Sequence, residues 1–203
     1  MAGRLAARHA FGRRHDMKAN PLFSIEHSQT AYRADFALYG AASLGLASAL
    51  LWAGPPDQRL ALTGLAAAGL VGWSALEYAL HRYVLHGLQP FSRWHGEHHA
   101  RPTALICAPT LLSATLIVAL VFLPALALTG AWPACALTFG VLTGYLAYAV
   151  THHAVHHWHG QNAWLMRRKR WHALHHGTRA DPGHYGVTTG VWDRVFSTAG
   201  PKR

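Results

Sequence analysis

Apolar positions in this chain run on without interruption, instead of recurring at the 3.6- or 2-residue period of a half-buried helix or strand. Four such runs, 36–53, 60–80, 104–128 and 132–150, are each about the length that crosses roughly 30 Å of hydrocarbon. Glu77 is the one charged residue inside them. Buried helices of water-soluble proteins seldom stay uncharged for so long, so the pattern predicts an all-α integral membrane protein with four transmembrane helices. The connections GPPDQR at 54–59 and TGA at 129–131 are tight and predict two antiparallel hairpins. The longer polar segments then share the opposite side. This gives an N-terminal tail over 1–35 and a membrane domain over 36–203, whose C-terminal part, 151–203, forms a helical cap.

Basic residues follow that division. Arg4, Arg8, Arg13, Arg14 and Lys18 precede the first run, Arg82, Arg93 and Arg101 lie between the second and third, and Arg167, Arg168, Lys169 and Arg170 follow the fourth. The positive-inside rule makes that face cytoplasmic, with both termini on it, in a bacterial inner membrane or the endoplasmic reticulum. A formal net charge of +10 on a chain with four spans and no nucleic-acid motif points to anionic lipid headgroups and excludes a nucleic-acid partner. RRKR at 167–170 reads equally as a solvated topology signal, and the eight tryptophans as interface anchors. Cys107 and Cys135, both in expected spans near opposite ends of a hairpin, are read as packing residues that neither pair nor join a polar site. The first nineteen residues lack the apolar core of a signal peptide.

Ten of the seventeen histidines fall in four boxes: His81 and His86; His95, His98 and His99; His152 and His156; His172, His175 and His176. That number exceeds one metal ion and suits two. Imidazole is neutral near physiological pH and a good donor to iron, copper, nickel and zinc. Helical residues four apart project within about 40° of each other, so His95 with His99, His152 with His156, and His172 with His176 can each reach one ion. His98 and His175 point about 100° away from an adjacent ligand and can serve the other ion. Two facing HxxHH helices therefore place His95, His99 and His175 on one metal and His98, His172 and His176 on the second. His152 and His156 complete the second, which leaves His81 and His86 for the first. An i, i+5 pair diverges by about 140° in a regular helix, so the helix must end or distort before Gly87. Spacing alone does not choose between His152/His156 and His153/His157, which are also four apart. Glu77, one turn before His81, either orients a ligand or pairs with Arg82. His9, His15 and His27 read as solvated, and His153, His157, His159 and His184 as outer or surface residues.

EYALHRYVLH at 77–86, HGEHH at 95–99, YAVTHHAVHH at 148–157 and WHALHHGTRADPGHYGVTTGVWDRVFST at 171–198 together resemble the fatty acid hydroxylase superfamily, in its fatty acid 2-hydroxylase branch. The resemblance covers about residues 70–198 and implies a dimetal centre, natively two iron ions although zinc can occupy the sites. It also implies that the Tyr148-led box selects His152 and His156. On that matching the first metal takes His81, His86, His95, His99 and His175, and the second His98, His152, His156, His172 and His176. The family often carries an acidic residue where this chain has Ala149, and another shortly after the second box, where ARPTA at 100–104 has none.

The expected activity is O2-dependent hydroxylation of a long-chain lipid, at a fatty acyl C–H bond near the carboxyl end, with the histidines as ligands and no further catalytic residue. The short N-terminal segment has no room for a fused cytochrome, so the expected electron donor is a separate cytochrome b5, ferredoxin or reductase. Sterol or carotenoid oxidation would use a similar ligand set in another pocket. A histidine-rich metal transporter or store would need polar groups along its spans, and these are nearly absent.

Overall fold

The computed structural model describes residues 25–177 and 183–200. The tail cations Arg4, Arg8, Arg13, Arg14 and Lys18, with His9 and His15, lie outside the described residues. Helix α1 (Gln29–Trp52) starts where the Ser28 hydroxyl accepts a hydrogen bond from the Ala31 amide at 3.2 Å. It therefore includes residues 29–35, which hydropathy alone left in the tail. After one 3₁₀ turn at Pro56–Gln58, α2 (Arg59–Ala79) runs on into a π-helical turn at Leu80–Leu85. Helix α3 (Phe91–Ala100) carries the second histidine box.

The third span begins at Thr110, six positions later than its apolar run. Pro109 occupies the N-cap, and a proline biases the residue before it away from helix, so 104–109 stays irregular. The span consists of α4 (Thr110–Ile117), a π turn (Val118–Phe122) and α5 (Leu123–Thr129). Pro124, in the first turn of α5, lacks an amide hydrogen and crowds the preceding turn, which the π turn widens to accommodate. The fourth span, α6 (Ala131–His157), extends past the membrane run to carry the third box. Helices α7 (Ala163–His175) and α8 (Val191–Val195) follow, α7 capped by Asn162 accepting from the Leu165 amide at 2.8 Å. Among the described residues the only strand-like pairing is an isolated bridge between Glu26 and Ile106.

Helix α6 is the axis of the bundle. Half of its most apolar window is buried, whereas none of the third span's is. Leu111, Leu116, Leu120, Leu123 and Leu128 face outward, a surface suited to lipid and not to water. Four helices are long and apolar enough to cross a membrane. Helices α1, α2 and α5 all pack on α6, so the two helices joined by the first tight loop meet mainly through α6. The α2–α6 approach depends on small residues. A Cβ at Gly140 would run into the Ala66 backbone, and one at Gly144 would lie 2.6 Å from the Trp73 side chain. Trp73 is thus a core residue and not an interface anchor. Arg168, read from sequence as part of a solvated face, is also buried.

Candidate metal centre

The widened turn at Leu80–Leu85 resolves the i, i+5 problem. The His86 amide bonds the His81 carbonyl at 3.2 Å, a π-type i→i+5 bond that turns both rings to the same side, with centroids 5.4 Å apart. Distortion before Gly87 is what the spacing required. Around this turn α3, the end of α6 and the end of α7 bring all ten boxed histidines together.

They form two groups. One donor nitrogen each from His81, His86, His95, His99 and His175 lie within 4.8 Å of one another. Nε2 of His95 is 3.0 Å from that of His81 and 3.1 Å from that of His99, while Nε2 of His175 is 3.1 Å from those of His86 and His99. The second group gathers His98, His156, His172 and His176 within the same 4.8 Å limit. His152 stands beside it, its Nε2 3.1 Å from that of His98. The two groups adjoin where the His99 and His176 rings stack at 4.2 Å. His153 and His157 join neither. They stack on each other at 4.6 Å on another face of α6, where His153 Nδ1 meets the Tyr32 hydroxyl at 3.2 Å.

The far side of the first group is held by backbone. His81 Nδ1 donates to the Tyr185 carbonyl at 2.5 Å and His175 Nδ1 to that of Gly183 at 2.8 Å. A carbonyl can only accept, so in these neutral rings Nε2 is a bare lone pair. Segment 183–188 is itself clamped by two buried carboxylates. Glu77 accepts from the Val187 and Thr188 amides at 2.7 and 3.0 Å and from the Thr188 hydroxyl at 2.5 Å. Asp193 accepts from the Tyr185 and Gly186 amides at 2.7 and 2.8 Å and from the Thr198 hydroxyl at 2.8 Å. Arg168 donates to the Thr188 carbonyl at 3.2 Å. Glu77 thus supports a ligand at one remove, while Arg82 turns to the Tyr78 hydroxyl at 2.8 Å. Sequence reading gave no role to Asp193, although it lies within WHALHHGTRADPGHYGVTTGVWDRVFST, and placed Arg168 on a solvated basic face.

Lone pairs that converge without protons between them need a cation. Donors about 2.1 Å from a metal and at right angles to one another stand about 3 Å apart, and that is the spacing of neighbouring Nε2 atoms in both groups. Burial, reinforced by neighbouring imidazoles, holds His95, His172 and His175 well below the ordinary imidazole value, pushes His98 down to about 2 and His176 down to about 3. The rings are neutral donors, and the set fits metal binding.

A cavity of about 130 Å³ opens against His95, His98 and His152, walled by Phe36, Phe91 and Trp94 among others. Cys107 lines it too, in the irregular segment ahead of α4, so it adjoins the histidines after all. The expectation of a cysteine packed inside a span fails because Pro109 delays the helix. Cys107 and Cys135 are both free.

The family model described as fatty acid hydroxylase matches residues 66–198, from the middle of α2 to the segment after α8. The chain belongs to the fatty acid hydroxylase family. Similar curated proteins include the dihydroceramide fatty acyl 2-hydroxylase FAH2 of Arabidopsis thaliana, 34% identical over 145 residues that are 66% of this chain and 60% of that protein. The ceramide very long chain fatty acid hydroxylase scs7 of Schizosaccharomyces pombe is 33% identical, over 66% of this chain and 41% of its own length. The human fatty acid 2-hydroxylase is 28% identical, over 69% and 40%. The chain thus spans about two fifths to three fifths of these relatives. A solved structure of full-length scs7p, with only its hydroxylase domain visible, superposes with a TM-score of 0.70 at 24% identity over 88% of this chain and 68% of that one, and so shares the fold.

Proposed function

We propose that the chain is a membrane oxygenase that hydroxylates the acyl chain of a lipid at the carbon next to its carbonyl. The observation that carries this reading is the convergence of two groups of imidazole nitrogens beside a cavity walled largely by apolar side chains. Relatives named as fatty acyl and ceramide hydroxylases support the substrate class. In this reading His81, His86, His95, His99 and His175 hold one metal, and His98, His152, His156, His172 and His176 the other. Two iron ions, when bound, supply dioxygen activation that redox-inert zinc does not.

The chain's own residues do the rest. Eight imidazoles from the helical segments, with His86 just after the π turn and His176 just after α7, fix the donor geometry, and segment 183–188 locks two of them by tautomer and angle. The apolar wall excludes bulk water and aligns the acyl chain along α1 and α6. Hydroxylation balances as one C–H bond and O2 plus two electrons and two protons, giving C–OH and water, and in this reading a separate electron-carrier protein supplies the electrons. The histidine side faces the cytoplasm in this reading, because Arg93, Arg101, Arg167 and Arg170 flank the boxes.

Expression in cells grown under isotopic oxygen gas is the test. A 2-hydroxylated acyl lipid that carries the label is expected, and none from a His175→Ala chain. Label from water would overturn the oxygenase reading, and a labelled sterol or carotenoid would overturn the substrate.

A further inference from the structure

Asp35 is a carboxylate in an unusual place. It lies on α1, is only 7% exposed, and lines the cavity that reaches His95, His98 and His152. One of its oxygens, Oδ1, is buried with no hydrogen-bond partner among the described residues. Thr110, His27, Tyr32, Tyr39 and Cys107 are its polar neighbours, and none hydrogen-bonds Oδ1. A buried acceptor left unpaired costs about 1–3 kcal/mol, and such groups usually have a partner. Two tyrosine hydroxyls on the same wall are engaged. The Tyr32 hydroxyl meets His153 at 3.2 Å, and that of Tyr145 meets Ser113 at 3.5 Å.

The chemistry of the proposed reaction defines what can approach. If the carbon beside the carbonyl is to face the metals, the atom joining the acyl group to its head is two bonds away and shares a cavity of about 130 Å³. An ester oxygen offers no donor to Oδ1, and a free carboxylate brings a second negative charge into the same apolar space. An amide N–H offers a donor and no charge. From this juxtaposition, which rests on the reading of the site given above, we infer that Asp35 determines head specificity by accepting a hydrogen bond from the N–H of an acyl amide.

The test uses the full chain, metal-loaded in detergent, with three probes of one acyl length: N-stearoyl dihydrosphingosine, its O-linked ester analogue, and stearate. Dissociation constants are measured by equilibrium binding, which requires no turnover, and hydroxylation of the same probes is followed separately with an added reductant. The native chain should bind the amide about tenfold or more tighter than the ester, the value of a hydrogen bond to a charged acceptor. Asp35→Ala should bring the two within about twofold, with metal content unchanged. Asp35→Asn keeps an acceptor oxygen without the charge, so it should still favour the amide over the ester and tighten binding of stearate. Equal binding of amide and ester by the native chain, or an unchanged preference in both variants, would overturn the proposal. An Asp35-dependent amide preference without hydroxylation would support the role of Asp35 and count against the reaction, while hydroxylation that ignores the head would do the reverse.

Discussion

The two histidine groups use the same donor atom and similar spacings, yet they are supported very differently. In the first, His81 and His175 lean on carbonyls of segment 183–188, and that segment is tied down by Glu77, Asp193 and Arg168. In the second, Nδ1 of His98, His172 and His176 is buried without a hydrogen-bond partner among the described residues. An imidazole whose distal nitrogen is anchored keeps its tautomer and ring angle as metal comes and goes. One that is not anchored must be ordered by the metal itself. The comparison teaches that donor count alone does not describe such a site: two rings of the first group are held from outside by backbone, and three of the second are not.

Removing a ligand should have the largest effect. His175 is fully buried, stands against both His86 and His99, and carries one of the two backbone anchors. His175→Ala should abolish hydroxylation and lower bound metal from about two ions per chain to about one, by metal analysis of folded protein. Retention of two ions would break the assignment of His175 to the first group.

Next comes the clamp. Glu77→Gln leaves one oxygen to accept but loses the charge and half the acceptor capacity facing Val187 and Thr188, and Asp193→Asn does the same at Tyr185 and Gly186. Each should weaken metal binding at the first group about 10–100-fold and leave the second within a few-fold, by chelator competition. Equal weakening of both would show that the clamp serves the whole cap and not one socket.

The native protein offers a subtler contrast. At neutral pH a chelator should strip the second group first, with a rate difference on the order of tenfold. Acid should not discriminate. His95 and His175 in one group and His98, His172 and His176 in the other are all held below their unfolded value near 6.5, so the unfolded chain binds more protons than the folded one below that pH. Stability therefore falls as pH drops below about 6.5 and continues to fall toward the depressed folded values. Metal release and loss of the thermal midpoint should track together between about pH 6.5 and 4 in both groups.

Much of this was legible in the residues because it is periodic. Uninterrupted hydropathy marked the four spans, and i, i+4 phase put His95 beside His99 and His172 beside His176, whose Nε2 atoms lie 3.1 and 3.0 Å apart. Even the distorted turn at His81 followed from a spacing that a regular helix cannot satisfy. Tertiary features with no local period escaped. Asp193 and Arg168 act through backbone groups on an irregular segment, Asp35 sat just outside its apolar run, and Cys107 was misplaced by Pro109.

The smallest expected effect sharpens the boundary of the second group. His153 and His157 share the spacing of His152 and His156, but one residue of helix turns them about 100° away, to a face where they stack on each other and meet Tyr32. His152→Gln or His156→Gln should each lose a metal and hydroxylation together, because Gln cannot replace an imidazole at these contacts. His153→Gln should keep metal and lose no more than about threefold in turnover, the worth of one half-exposed hydrogen bond to Tyr32. His157→Gln should cost less still, since a ring stack on the outer face is its sole recorded contact with His153. Activity and metal content measured side by side decide it: equal loss from both pairs would mean that helical phase does not separate ligand from neighbour here, and that the second group extends around α6.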